Sequence, residues 1–90
     1  MQYGLIGEHL PHSFSKEIHE KLTGEEYTLC PLAPDQLEDF LKKKEFKAIN
    51  VTIPYKQAVI PYLDKISPRA QRIGAVNCIV NQSGKLCGYN

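Results

Sequence analysis

The sequence predicts an α/β fold: a three-layer α/β/α sandwich whose sheet is mostly parallel, with an antiparallel hairpin at the carboxyl end. Short apolar runs alternate with segments of helical periodicity, which is the pattern of βαβ units. Two further apolar runs near the end of the chain flank a polar turn, which indicates the hairpin. With 90 residues, 42% of them hydrophobic, the chain is expected to form one domain over 1–90 with one modest core.

The amino-terminal half is predicted to contain two strands and two helices in alternation. Residues 3–7 are a short apolar run that ends in glycine, which is typical of a buried strand. Apolar residues at four-residue spacing predict a helix over 14–23, with Gly24 as its C-cap. A second strand is predicted at 26–32. The helix after it begins at Pro34 and runs into a lysine cluster, which suits a helix carboxyl end.

The carboxyl-terminal half begins with a third predicted strand. Residues 48–53 are continuous and rich in β-branched side chains, and Pro54 is expected to end the strand. Helical segments are expected around 56–63 and 68–73. The hairpin completes the chain, with strands predicted at 75–80 and 85–90 and a polar turn at 81–84 between them.

Charge and cysteine usage exclude several classes of function. Eleven Lys and Arg residues against ten Asp and Glu residues give a net charge of +1, which argues against nucleic acid or an anionic membrane as partner. The three cysteines have unrelated spacings and the three histidines no ligand pattern, so no metal site is expected. The chain shows no signal peptide and no membrane-spanning segment, which favours a cytoplasmic protein. No glycine-rich nucleotide loop is present either, so no cofactor-binding residue is predicted.

Polar residues are expected at the carboxyl ends of the parallel strands, where ligands of such sheets bind. Ser13 and Ser15 follow the first strand near the amino end of a helix. Two hydroxyls and the helix N–H groups would suit an anionic ligand such as a carboxylate. A helix N-cap with an incidental second serine explains the same spacing.

The end of the third strand offers three further candidates: Asn50, Thr52 and Lys56. Asn50 and Thr52 point to the same side of the strand, either to bind a ligand or to hydrogen-bond neighbouring loops. Lys56 follows the strand-ending proline, where its ammonium would reach the space beside Thr52, although a surface lysine is the common alternative. Asn77 occupies a similar place at the start of a later strand, where a turn-adjacent amide is the alternative.

Five segments, taken in order and with their separations, resemble the amino-terminal, substrate-binding domain of the shikimate dehydrogenase family. The resemblance extends over the whole chain. The segments are Tyr3-Gly4-Leu5-Ile6-Gly7, His12-Ser13-Phe14-Ser15, Asn50-Val51-Thr52-Ile53-Pro54-Tyr55-Lys56, Gly74-Ala75-Val76-Asn77 and Gly88-Tyr89-Asn90. The resemblance implies the reversible oxidation of shikimate to 3-dehydroshikimate with NADP, a step of aromatic amino-acid biosynthesis.

The resemblance also implies a role for each candidate. Ser13 and Ser15 would hold the carboxylate of shikimate. Thr52, Lys56 and Asn77 would hydrogen-bond its ring hydroxyls. Lys56 would also be the catalytic residue, accepting the proton of the hydroxyl that is oxidised, in a pair with an aspartate.

The family's motif continues to that aspartate two residues beyond the position of Asn90, where this chain ends. The NADP-binding Rossmann domain of the family is absent from the chain as well. We therefore expect NADP to be bound mainly by that domain, the 90-residue chain alone to be inactive, and the full-length enzyme to be compatible with a homodimer. Two alternatives share the quoted motifs: a quinate/shikimate dehydrogenase that uses NAD, and a stand-alone module that binds a shikimate-like acid without catalysis.

Overall fold

Six strands form one mixed sheet in the computed structural model, which describes residues 2–8, 10 and 27–90. In chain order the strands are β1 (Tyr3–Gly7), β2 (Tyr27–Pro31), β3 (Ala48–Val51), β4 (Lys65–Ile66), β5 (Cys78–Gln82) and β6 (Lys85–Tyr89). Their order across the sheet is β2-β1-β3-β5-β6-β4. β1 pairs in parallel with β2 and β3, and β4 pairs in parallel with β6, whereas β5 is antiparallel to both β3 and β6. The predicted α/β fold, with a mostly parallel sheet and a terminal hairpin, is confirmed.

Two short α-helices connect the described strands. Helix α1 (Leu37–Lys43) directly follows a 3-10 turn at Pro34–Gln36 and buries two leucines against the sheet. Lys44 is its C-cap, and a φ of 54° gives this residue the left-handed conformation that commonly terminates a helix. Helix α2 (Pro68–Ile73) connects β4 to β5. The helix predicted over 14–23 lies outside the described residues.

The core lies between these helices and one face of the sheet. Ile49 of β3 is opposite Ile79 of β5, and both are almost fully buried. Leu41 of α1 and Ala70 of α2 are fully buried in the same cluster. Burying a side chain of the size of leucine or isoleucine contributes roughly 1.5–3 kcal/mol. This cluster therefore holds in place the sheet whose strand ends carry the candidate site.

The structure corrects the predicted segment around 56–63. It is built of turns and a 3-10 turn at Ile60–Tyr62, not of an α-helix. Pro61 has no N–H to donate, which disfavours a continuous helix there. The short strand β4, two residues long, follows and was not predicted, because two residues show no periodicity.

The boundaries of two strands, β3 and β5, differ from the prediction by at least two residues. β3 ends at Val51, two residues earlier than predicted, and the peptide bond between Ile53 and Pro54 is cis. β5 begins at Cys78 and continues to Gln82, so the hairpin turn has two residues where four were predicted. The turn residues Ser83 and Gly84 have φ of 54° and 89°, as a tight type I′ hairpin turn requires.

Candidate functional site

The candidate site begins where β1 and β3 end. Thr52 follows the last residue of β3, and its N–H donates to the carbonyl of Ile6 at 3.0 Å. The threonine is half-buried. Its Cγ2 methyl lies so close to Gly7 that a Cβ on that glycine would be 2.6 Å from it. The end of β1 therefore fixes both the backbone and the side chain of Thr52.

A tight turn carries the chain from Thr52 to Lys56. The N–H of Tyr55 donates to the carbonyl of Thr52 at 3.0 Å. Tyr55 is buried, and its hydroxyl donates to the carbonyl of Leu32 at 2.5 Å. The Tyr55 ring anchors the turn, and the side chain of the next residue, Lys56, is exposed.

Asn77 approaches the same place from the opposite direction. Because β5 is antiparallel, its amino end lies beside the carboxyl end of β3. The carbonyl of Asn77 accepts a hydrogen bond from the N–H of Val51 at 2.9 Å. The N–H of Val76 donates to the carbonyl of Lys56 at 2.8 Å. These two bonds join the turn that carries Lys56 to the segment that carries Asn77.

The side chain of Asn77 is held by the residue that follows β6. Its Nδ2 donates to Oδ1 of Asn90 at 3.4 Å, and Nδ2 of Asn90 donates to the carbonyl of Ala75 at 3.1 Å. The N–H of Asn77 donates to the carbonyl of Tyr89 at 3.0 Å. The start of β5 and the end of β6 are thereby tied together at the edge of the site.

The structure thus brings three of the five predicted site residues to one edge of the sheet: Thr52, Lys56 and Asn77. The group contains a hydroxyl, an ammonium and an amide, which together can donate to and accept from a ligand with several hydroxyls. Ser13 and Ser15 lie outside the described residues, so carboxylate binding by these serines stays a prediction.

Asn50 lies next to this group; the strand pattern made it a candidate, but the predicted set of site residues did not include it. It lies in β3, two residues before Thr52, and is half-buried. Its Oδ1 accepts a hydrogen bond of 2.9 Å from the hydroxyl of Tyr27. The shared orientation of Asn50 and Thr52 along the strand is the signal that could have included it.

Uncharged groups surround Asn50. Cys78 of β5 lies opposite Asn50 in the pairing of β3 with β5. Burial raises the pKa of the Cys78 thiol above its ordinary value. Burial also raises the pKa of Tyr27, and negative charge on Cys78 would raise it further. Both groups therefore keep their protons at neutral pH, and the Tyr27 hydroxyl remains a donor.

Over 2–8, 10 and 27–90, no three His, Cys, Asp or Glu side chains are grouped as a metal site would require. No helix in those ranges is both long and apolar enough to cross a membrane.

Comparison with known proteins identifies the family. A family model described as the shikimate dehydrogenase substrate binding domain matches residues 5–79. This chain belongs to that family. The family predicted from the motifs is therefore confirmed.

Relatives in the shikimate dehydrogenase family match nearly the whole chain. The shikimate dehydrogenase (NADP(+)) of Halothermothrix orenii is 48% identical over 95 residues, covering 97% of this chain and 33% of that protein. Shikimate dehydrogenase 1 of Peptoclostridium difficile superimposes with a TM-score of 0.90 at 38% identity, over all of this chain and 37% of that one. The Thermus thermophilus enzyme, solved with NADP(H) and shikimate, gives a TM-score of 0.89 at 34% identity. This match covers 100% of this chain and 37% of the Thermus chain. This chain spans about a third of the length of the curated relatives it matches.

Proposed function

We propose that this chain is the shikimate-binding domain of a shikimate dehydrogenase, which reversibly reduces 3-dehydroshikimate to shikimate with NADPH. The observation that carries the proposal is the convergence of Thr52, Lys56 and Asn77 at one strand edge of a domain of this family. The Thermus relative, whose crystal contains shikimate, supports the choice of ligand.

The proposed ligand matches the chemistry of these side chains. Shikimate carries one carboxylate and three ring hydroxyls. The hydroxyl of Thr52 and the amide of Asn77 can each donate to or accept from a ring hydroxyl, and the Lys56 ammonium can donate to one. The carboxylate is assigned to Ser13 and Ser15, as the family resemblance implies.

Lys56 is proposed to move the proton of the reacting oxygen. When the substrate carbonyl is reduced, its oxygen gains negative charge and takes a proton from the Lys56 ammonium. In the reverse direction, the neutral amine takes the proton from the hydroxyl that becomes the carbonyl. The exposed position of Lys56 allows water to restore its proton between turnovers.

No described residue is proposed to bind the dinucleotide. The sequence contains no Gly-x-Gly-x-x-Gly loop. The amide of Ala70 at the start of α2 is taken by Oγ of Ser67, and the amide of Ala33 before α1 by Oε1 of Gln36. The N–H groups of Ala70 and Ala33 are therefore not available to bind a pyrophosphate. We propose that NADP is held by the part of the full-length protein that corresponds to the other two thirds of the relatives.

Replacing Lys56 tests the proposal in the full-length protein. Lys56→Ala should lower kcat for shikimate oxidation by at least about 100-fold, because a general acid–base group typically contributes that much. The dissociation constant for shikimate should change far less. Steady-state kinetics and calorimetry measure the two quantities. Lys43→Ala, at an exposed lysine of α1, is the matched control and should leave both unchanged.

The same assays separate the alternatives. Wild-type kcat in Lys56→Ala, or no binding of shikimate by the wild-type protein, would overturn the proposal. A higher kcat/KM with quinate and NAD would identify a quinate/shikimate dehydrogenase. Tight binding of shikimate, with no turnover in the presence of either NADP or NAD, would identify a binding module. The homodimer of the full-length protein stays a prediction, which sedimentation velocity would check.

A further inference from the structure

We propose that Tyr27 is a positioning residue, whose hydroxyl orients the side-chain amide of Asn50 so that Asn50 Nδ2 donates a hydrogen bond to a ring hydroxyl of the bound substrate. This inference rests on the proposed function, because it names a further contact within the same site.

The first support is the hydrogen bond between the two side chains. Tyr27 lies in β2 and Asn50 in β3, with β1 between them. The Tyr27 side chain therefore reaches across a whole strand, and its hydroxyl is 2.9 Å from Oδ1 of Asn50. Tyr27 is only 3% exposed, so the ring is held by packing on the sheet. A buried, rigid donor of this kind fixes the direction of the amide that accepts from it.

The second support is that the amide nitrogen of Asn50, Nδ2, has no hydrogen-bond partner in the described residues. Within the part of the chain that the structure describes, Nδ2 of Asn50 donates to no protein acceptor. The same part contains no side-chain nitrogen or oxygen that is both fully buried and without a partner, so Nδ2 remains accessible. An accessible amide donor two residues from Thr52, on the same face of the strand, is available to the ligand that Thr52 is proposed to bind.

The third support is the protonation of Tyr27. Its hydroxyl can fix Oδ1 as the acceptor only while it carries its proton. Burial raises the pKa of Tyr27, with negative charge on Cys78 as a second cause, so the hydroxyl stays protonated at neutral pH. The amide is thereby oriented with its oxygen towards Tyr27 and its NH₂ group away from it.

Calorimetric binding of shikimate to the full-length protein tests the inference. Tyr27→Phe keeps the buried ring and removes only the hydroxyl, and it should raise the dissociation constant about three- to tenfold, the range expected for one hydrogen bond. Asn50→Ala should raise it at least as much. The double variant should bind no more weakly than Asn50→Ala alone, because Tyr27 acts through Asn50.

Two controls distinguish positioning from a general loss of structure. Tyr62→Phe removes a hydroxyl from a half-buried tyrosine of the 3-10 turn before β4 and should leave the dissociation constant unchanged. Deoxy analogues of shikimate, each lacking one ring hydroxyl, give a second readout. For one analogue, wild type and Tyr27→Phe should bind equally, since the hydroxyl contacted by Asn50 is already missing.

Several results would overturn the inference. Wild-type affinity in Tyr27→Phe, additive losses in the double variant, or an equal loss for every deoxy analogue would overturn the inference. If Tyr27→Phe does not fold, Asn50→Ala still tests the inference, because wild-type affinity in that variant would overturn it too. Failure of the wild-type protein to bind shikimate would instead refute the proposed function, and the positioning role with it.

Discussion

Gly7 of β1 is packed directly against Thr52 of the candidate site. A Cβ at this position would be 2.6 Å from Cγ2 of Thr52 and 3.2 Å from the carbonyl oxygen of Ile53. The short threonine side chain cannot swing clear, so Gly7→Ala should displace Thr52. We expect a loss of about 1–3 kcal/mol in the free energy of unfolding, as for other overpacked sites, and weaker binding of shikimate. Urea denaturation and calorimetry measure the two effects.

A glycine at the far end of the sheet provides the control. Gly84 has a φ of 89° in the β5–β6 turn, and a Cβ there would meet no atom within 4 Å. Gly84→Ala should therefore destabilise the protein through backbone strain alone, by about 1–2 kcal/mol. Its affinity for shikimate should remain that of the wild type. Normal affinity in Gly7→Ala would show that Thr52 does not depend on Gly7.

Individual site residues were predictable to different degrees. Thr52 and Lys56 follow from the end of one strand, a local pattern, and the structure places both at the predicted edge. The bond between Tyr27 and Asn50 was not predictable, because it joins residues 23 positions apart. It depends on β1 lying between β2 and β3, and strand order is not encoded in the periodicity of any one segment.

At the scale of elements, helix α2 depends on its amino-terminal cap. Oγ of Ser67 accepts from the N–H of Ala70 at 3.2 Å, and Pro68 occupies the first helical turn. Pro68 has no N–H and the N–H of Gln71 donates to the carbonyl of Ser67, so the cap satisfies one of the two N–H groups that remain in the first turn. Ser67→Ala should lower the free energy of unfolding by about 1 kcal/mol, measured by urea denaturation.

Ser67→Asp is the matched variant for this helix. An aspartate at the N-cap also accepts from the third helical residue and favours the positive end of the helix dipole. It should therefore retain most of the wild-type stability. Equal stability of Ser67→Ala and the wild type would mean that the backbone bond from Ser67 N–H to the Gly88 carbonyl, at 2.8 Å, suffices to hold the helix start.

The elements that the sequence did not predict are those that long-range bonds maintain. β4 exists because Lys65 and Ile66 pair with Cys87 and Gly88 of β6, more than 20 residues later. Asn81 was predicted to belong to a turn, but it lies in β5, where its Nδ2 donates to the carbonyl of Phe46 at 3.0 Å. The strands and helices that were predicted have apolar patterns of their own.

For the whole molecule, alkaline pH should reduce stability. Burial raises the pKa of Tyr27, Cys30 and Cys78, so the folded state holds these protons more tightly than the unfolded state. Their stabilising contribution is present below the ordinary values of about 8.5 for cysteine and 10 for tyrosine, and is lost as the pH rises through the folded-state values. Urea denaturation under reducing conditions should show a falling free energy of unfolding above about pH 9.

The cysteine variants show which groups cause this fall. Cys78→Ala removes one of the two half-buried thiols whose pKa is raised and should make the dependence on pH shallower. A variant at Cys87, which is buried in β6, serves as the comparison for the loss of a cysteine side chain. A wild-type curve that stays flat through the alkaline range would contradict the expected contribution of these groups.

The place of β6 in the sheet has a consequence for the order of synthesis. β6 is the last strand in the chain, yet it lies inside the sheet, between β5 and β4. A ribosome therefore exposes β1 to β5 before the strand that completes their sheet has been made. Within the described residues, β4 has no strand partner other than β6. The nascent domain must keep an open sheet edge until the residues of β6 have emerged, and during that interval chaperones have a surface to protect.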